Sequence, residues 1–192
     1  MSNTPLPLNI AVIAKKGGVG KSNISLLLHE ALQKANRSVE IKDWDTQGTS
    51  TKSLAFIYGK KEPPANPDII IWDTPPTFDH PAAATAVRAS QIVLVITSPN
   101  TADTWEAEEA VQFALSRNSK AAVRVVFNKV RKSTIFGRLV DQNAETLTVP
   151  TLYTLAYRES YAHAISQGWK ALDNAARQEF LHFVVAVLSL SH

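Results

Sequence analysis

The stretch Ala11-Val-Ile-Ala-Lys-Lys-Gly-Gly-Val-Gly-Lys-Ser22 decides how this chain is read. An apolar run, Leu8 to Ala14, leads into a glycine-rich turn. Lys21-Ser22 then opens a segment whose apolar residues (Ile24, Leu27, Leu28, Ala31, Leu32, Ala35) recur at helical spacing. Strand, glycine turn and helix in that order wrap backbone N–H groups around an anion and aim the positive end of a helix dipole at it. In such a loop Lys21 reaches the β- and γ-phosphates of a nucleotide, and the Ser22 hydroxyl ligates Mg²⁺. The spacing departs from the common G-x-x-x-x-G-K-[ST] loop in one respect. That frame would begin at Lys15, which is not glycine, and a further lysine, Lys16, stands directly ahead of Gly17.

Lys16-Gly17-Gly18-Val19-Gly20-Lys21-Ser22 resembles the deviant Walker A box, K-G-G-x-G-K-[ST], of the ParA/MinD ATPases. The resemblance implies ATP and Mg²⁺ as cofactors, with Lys16 through Ser22 and the Asn23 backbone holding the nucleotide. It also implies a homodimer with ATP sandwiched at the interface, in which Lys16 crosses to the phosphates of the other subunit and acts beside Lys21. Asp73 ends the run Ile69 to Trp72 and precedes Thr74-Pro75-Pro76, which looks like the family's Walker B acid and assigns Asp73 to the metal shell. Asp43-Trp44-Asp45-Thr46-Gln47-Gly48 resembles the second acidic motif, D-x-D-P-Q-G, with Thr46 where proline is usual. By that resemblance Asp43 helps organise magnesium and Asp45 orients or deprotonates the attacking water. Asn128, after the run Val123 to Phe127, stands where the family commonly reads the adenine edge, although asparagine at a strand end is also an ordinary turn residue. Pro150 and Thr151 are expected to close the other side of the base. The resemblance runs from Ile10 to about Asp173, loosening over Pro150 to Gly168, and points to the small, ParF-like members.

Composition narrows the alternatives. At 192 residues, 45% hydrophobic and 19% charged, the chain has the make-up of an ordinary globular domain, expected to be a single one over 1–192 with a flexible start at 1–7. There is no cysteine, which excludes disulfides and thiolate metal sites and, with them, the iron–sulfur relatives of the same superfamily. The N-terminal residues lack the pattern of a secretory signal, and no apolar run reaches membrane-span length, so a cytoplasmic location is expected.

Strand-like runs at Leu8–Ala14, Val39–Asp43, Ile69–Asp73, Ile92–Ile96, Val123–Phe127 and Leu147–Leu152 alternate with helical patterns. The latter cover Ser22–Ala35, a short Ser53–Tyr58, Ala82–Ala89, Ala102–Leu115, Ile135–Ala144, Glu159–Gln167 and Ala171–Leu188. The alternation predicts an α/β fold, a mostly parallel twisted sheet covered by helices on both faces, with ligand at the carboxyl ends of the strands.

Three functions fit such a domain. In a partition or positioning ATPase the ATP-bound dimer binds nonspecific DNA, associates with the nucleoid, and is stimulated by a ParB-like activator or cargo adaptor. Lys129, Arg131, Lys132, Arg138 and Arg158 are the candidate DNA-contacting residues. A MinD-like membrane switch needs a basic amphipathic C-terminal helix, whereas Phe180 to Leu188 carries no lysine or arginine. A small-molecule ligase of the dethiobiotin-synthetase type is the third, disfavoured by Lys16 and the second acidic motif.

Overall fold

The computed structural model describes residues 6–191, so residues 1–5 of the expected loose N-terminal segment lie outside the described residues. The chain runs β1 (Leu8–Ile13), α1 (Lys21–Lys34), β2 (Val39–Asp43), α2 (Thr49–Tyr58), β3 (Ile69–Asp73), α3 (Pro81–Ala89), β4 (Ile92–Thr97) and α4 (Thr101–Arg117). It continues through β5 (Ala122–Val130), α5 (Ile135–Arg138), α6 (Val140–Ala144), β6 (Thr151–Ala156), α7 (Glu159–Gln167) and α8 (Asn174–Leu188). The six strands form one sheet in the order β2-β3-β1-β4-β5-β6, and every neighbouring pair is parallel.

Continuous apolar runs suit strands that are covered on both faces. Ile10 and Val12 of β1, and Ala14 just after it, enter one core with Ile24 and Leu28 of α1 and Phe180 and Phe183 of α8. Ala11 and Ile13 enter the other, with Ala86 of α3 and Ala110 and Val111 of α4. A period of two therefore divides one strand between two cores. This is the expected α/β architecture. Helix starts are set by local chemistry: His80 Nδ1 accepts the Ala82 N–H at 3.1 Å ahead of α3, with Pro81 at its first position, and Asn100 Oδ1 accepts the Ala102 N–H at 2.9 Å ahead of α4.

Several boundaries differ from the sequence reading, among them the end of β5, which runs on to Val130 rather than stopping at Phe127. The last strand is 151–156, not 147–152, because Leu147 and Val149 pack beneath the α4 side of the sheet while Thr151 onward pairs with β5. The helix expected over 135–144 is broken into α5 and α6 at Leu139. The closing helix begins at Asn174, where Asp173 Oδ1 accepts the Ala176 N–H at 2.8 Å, and Gly168–Ala171 forms a separate 3-10 turn. Finally, α2 begins at Thr49 rather than Ser53.

Candidate functional site

The loop between β1 and α1 takes the conformation its glycines permit. Gly18 and Gly20 have φ of 79° and 101°, values that side-chain-bearing residues rarely adopt. At Gly20 a Cβ would also run into the Asn128 amide. Gly20 precedes α1 without a side-chain cap, and the first turn holds no acidic residue, so the free N–H groups of that helix end remain open to an anion. Lys21, only 6% exposed, stands at the same point. Burial pushes its ammonium below the usual lysine range, and Asp73 and Asp45 pull it part of the way back.

Strand register brings the acids to this edge. Asp43 of β2 lies beside Asp73 of β3, and Asp73 lies beside Val12 of β1. Asp73 is fully buried and neither carboxylate oxygen accepts a well-formed hydrogen bond. Burial pushes its carboxyl up to about 6, helped by Asp43 and opposed by the nearby Ser22 and Ser50 hydroxyls and by Lys21. Those hydroxyls temper the charge without satisfying the oxygens. An orphaned buried carboxylate beside a serine hydroxyl fits a hard cation that takes few protein oxygens and keeps several waters, which is the habit of Mg²⁺. Among the described residues no group of three or more His, Cys, Asp or Glu is placed to hold a metal ion.

The same burial has a thermodynamic consequence. Because the folded pKa lies above the ordinary 3.8, ionisation of Asp73 costs the fold stability as pH rises through about 4 to 6, and the cost persists above that range. Asp73→Asn should therefore stabilise the nucleotide-free protein at pH 7.5 by on the order of 2 kcal/mol, or about 5 °C in Tm. Loss of one attraction to Lys21 offsets part of the gain. Thermal melts should show the gain shrinking as pH falls toward 4, and a pH-independent difference would refute the buried charge as its cause.

Asp43 is occupied differently. Its Oδ2 accepts the Ser50 hydroxyl at 2.8 Å and the Thr51 N–H at 3.0 Å, and its Oδ1 accepts the Asp45 N–H at 3.2 Å. It thus caps α2 from the end of β2 and shapes the turn that carries Asp45. Asp45 Oδ1 in turn accepts the Gln47 N–H at 2.9 Å.

Around these groups lies a cleft of about 490 Å³. Gly17, Gly18, Gly20, Lys21, Ser22, Asn23, Asp45 and Asn128 line it, joined by Gln47, Thr49, Pro76, Lys129, Ala156, Tyr157, Arg158, Tyr161, Ala162 and Ile165. A shallower hollow lined by Trp44, His80, Pro81, Ala82 and Thr85 contains none of the phosphate-loop residues. Val19 is buried under the loop. Asn23 donates its side-chain amide to the Tyr161 carbonyl, fastening α1 to α7.

Not every expected site residue lines the cleft. Pro150 and Thr151 do not line the cleft: they stand at the start of β6, and the Pro150 carbonyl accepts the Val125 N–H in the body of the sheet. Ala156 to Arg158, at the far end of that strand, form the wall assigned to them. Asn128 is buried, and its Nδ2 donates to the Val19 carbonyl at 2.8 Å, so its first task is to hold the phosphate loop. Lys16 does not line the cleft. It pairs with the buried Asp103 of α4, which also accepts the Ser98 hydroxyl, while Lys15 pairs with Glu109. Of the five proposed DNA-contacting residues, Lys129 and Arg158 bond to groups on other elements, with Lys129 remaining exposed. Lys129 Nζ donates to the Gly18 carbonyl at 2.7 Å, and Arg158 Nε donates to Glu179 at 2.9 Å. Arg131 stacks its guanidinium 3.6 Å from the centre of the Tyr157 ring, and Lys132 and Arg138 are exposed. Tyr157, Tyr161 and Ile165 were not anticipated as cleft residues; Tyr157 enters from the β6–α7 turn, and Tyr161 and Ile165 from α7.

The family profile described as the CobQ/CobB/MinD/ParA nucleotide binding domain matches residues 10–170. The chain belongs to this family. It is a ParA/MinD-type member with the deviant Walker A loop. No curated protein matches the sequence closely enough to count. Among solved structures, one similar chain is described as a plasmid partition protein from Borrelia burgdorferi B31 bound to AMPPNP, at 15% identity and a TM-score of 0.76, covering 96% of this chain and 98% of that one. Another is the septum site-determining protein MinD from Pyrococcus horikoshii OT3 with Mg-ADP, at 13% identity and 0.76, covering 97% and 98%. A third is the ATP complex of a Cyanothece McdA variant, at 14% identity and 0.73, covering 95% and 97%. At these identities the likeness is one of fold. Among the described residues no helix is long and apolar enough to cross a membrane.

Proposed function

We propose that this ParA/MinD-type protein is a Mg²⁺-dependent ATPase that dimerises around ATP, binds DNA without sequence preference, and positions a cargo such as a plasmid, chromosome or protein assembly. The observation that carries this reading is the placement of its two loop lysines. Lys21 lines the cleft at the phosphate loop, while Lys16, on the same loop, does not line it and is held by Asp103. A group that cannot serve its own site is suited to serve a neighbour's. The bound AMPPNP, Mg-ADP and ATP of the similar structures support the choice of nucleotide and metal. Here Ser22 and Asp73 would hold Mg²⁺, which supplies neutralisation of phosphate charge when bound. Asp45, on a turn at the cleft mouth, orients the attacking water, and a ParB-like partner completes that alignment. Arg131, Lys132 and Arg138 remain the candidate DNA face, with Lys129 and Arg158 reassigned to the cleft. An α8 docked through Phe180, Phe183, Val184 and Val187 gives the membrane-switch alternative no specific support.

The test is ATP turnover and molar mass in solution, measured with and without arbitrary duplex DNA. A mass that doubles with a slowly cleaved ATP analogue, and DNA retention that falls steeply with salt, are expected. A monomer under all conditions would refute the dimer reading. Asp45→Asn keeps an acceptor for the Gln47 N–H but removes the carboxylate charge. It should lower turnover about 100-fold or more while ATP binding persists, and unchanged turnover would free Asp45 from its role.

A further inference from the structure

We infer that Lys129 is a positioning residue of the phosphate loop, an inference that rests on the nucleotide reading above. Three observations converge on it. Lys129 holds a left-handed backbone, φ 60°, which is uncommon for a residue with a long side chain and persists only where surroundings enforce it. It stands where the pairing of β5 with β6 slips register, between Phe127 and Val130, a kind of irregularity that re-aims a side chain. Re-aimed in this way, its ammonium reaches across 111 residues of sequence to the Gly18 carbonyl at 2.7 Å, and its stem lines the cleft.

The geometry of the peptide unit gives that contact a function. In a trans peptide the C=O and the N–H point in opposite directions. The Gly18 carbonyl shares its peptide with the Val19 N–H, and the Val19 carbonyl shares its peptide with the Gly20 N–H. Lys129 Nζ holds the first carbonyl and Asn128 Nδ2 the second. Fixing the two carbonyls fixes the opposed N–H groups of the same peptides, which sets the directions in which the loop presents them to a phosphate. Asn128 is itself set for this, its Oδ1 accepting the Lys129 N–H at 2.9 Å. Adjacent residues at the end of β5 thus brace successive peptides of a glycine loop that has little stiffness of its own. The charge of Lys129 strengthens its bond to the carbonyl and adds a cation beside the anion site.

The experiment compares wild type with Lys129→Gly and Lys129→Arg. Glycine tolerates the left-handed backbone, so that variant removes the side chain without adding strain. ATP affinity is measured by calorimetry, and inorganic tripolyphosphate, which has no base, by competition. Lys129→Gly should weaken both about tenfold, and Lys129→Arg should restore most of the loss. Unchanged ATP affinity would overturn the inference, above all if DNA retention fell instead. Weakened ATP with unaltered tripolyphosphate would overturn it too, assigning Lys129 to the base. If wild type fails to bind ATP at all, the nucleotide reading falls and takes this inference with it.

Discussion

Replacing Lys21 with alanine is expected to weaken ATP binding by about 10³-fold, leaving no measurable nucleotide-dependent dimer. The ammonium is buried at the first residue of α1 and is the cation that offsets Asp73 and Asp45. Without it, two carboxylates would face a polyanion in a site shielded from water, where like charges repel strongly. Asp73 already carries a raised pKa, and losing Lys21 removes one of the influences that hold it down. Part of the protein would respond by keeping Asp73 protonated, which in turn spoils the site for a cation. Lys21→Arg should fare little better, because a planar guanidinium does not fit a slot shaped for a compact ammonium. Equilibrium binding of a fluorescent ATP analogue checks both variants. A Kd within threefold of wild type would mean that the glycine loop and helix end alone carry the affinity.

How much of this was legible in the sequence depends on how far apart the cooperating residues lie. The strands β1, β3 and β4 were readable because burial on both faces leaves a run of apolar residues that few other structures tolerate. The placement of Lys21, Ser22 and Asp73 was readable because it is local: each stands at a fixed offset from an apolar run. The α2 start was not, since its cap is Asp43, whose Oδ2 reaches forward to Ser50 and Thr51 rather than sitting next to the first turn. The last strand was placed too early because Leu147 and Val149 alternate like strand residues while packing as a loop under the sheet. That error displaced the far wall of the cleft from Tyr157 and Arg158 to Pro150 and Thr151. Asn128 and Lys129 could be named, but their bonds to Val19 and Gly18 span more than 100 residues and no spacing rule encodes them. In a similar way the partner of Lys16, Asp103, is visible only once α4 lies beside the loop.

That ion pair frames the second large effect. Lys16→Ala should leave ATP affinity within about threefold of wild type, because the lysine does not line its own cleft. The same variant should lose ATP-dependent dimerisation and any stimulated turnover by about 100-fold or more. The argument turns on what Lys16 would exchange. Its side chain is 47% exposed in the pair with Asp103, so water screens much of the attraction. Transfer to a phosphate inside a closed, dry interface offers a charge-assisted contact in a low dielectric, which outweighs a half-solvated ion pair. Asp103 is left buried when Lys16 departs, yet it keeps the Ser98 hydroxyl as a donor. Asp103→Ala removes the competing partner and should act in the opposite direction, tightening ATP-dependent dimerisation severalfold. Sedimentation of both variants with a slowly cleaved ATP analogue separates the two effects. Should Lys16→Ala dimerise normally, the lysine belongs to α4 alone. If Asp103→Ala dimerises more weakly, the pair is a support for the interface and not a restraint on it.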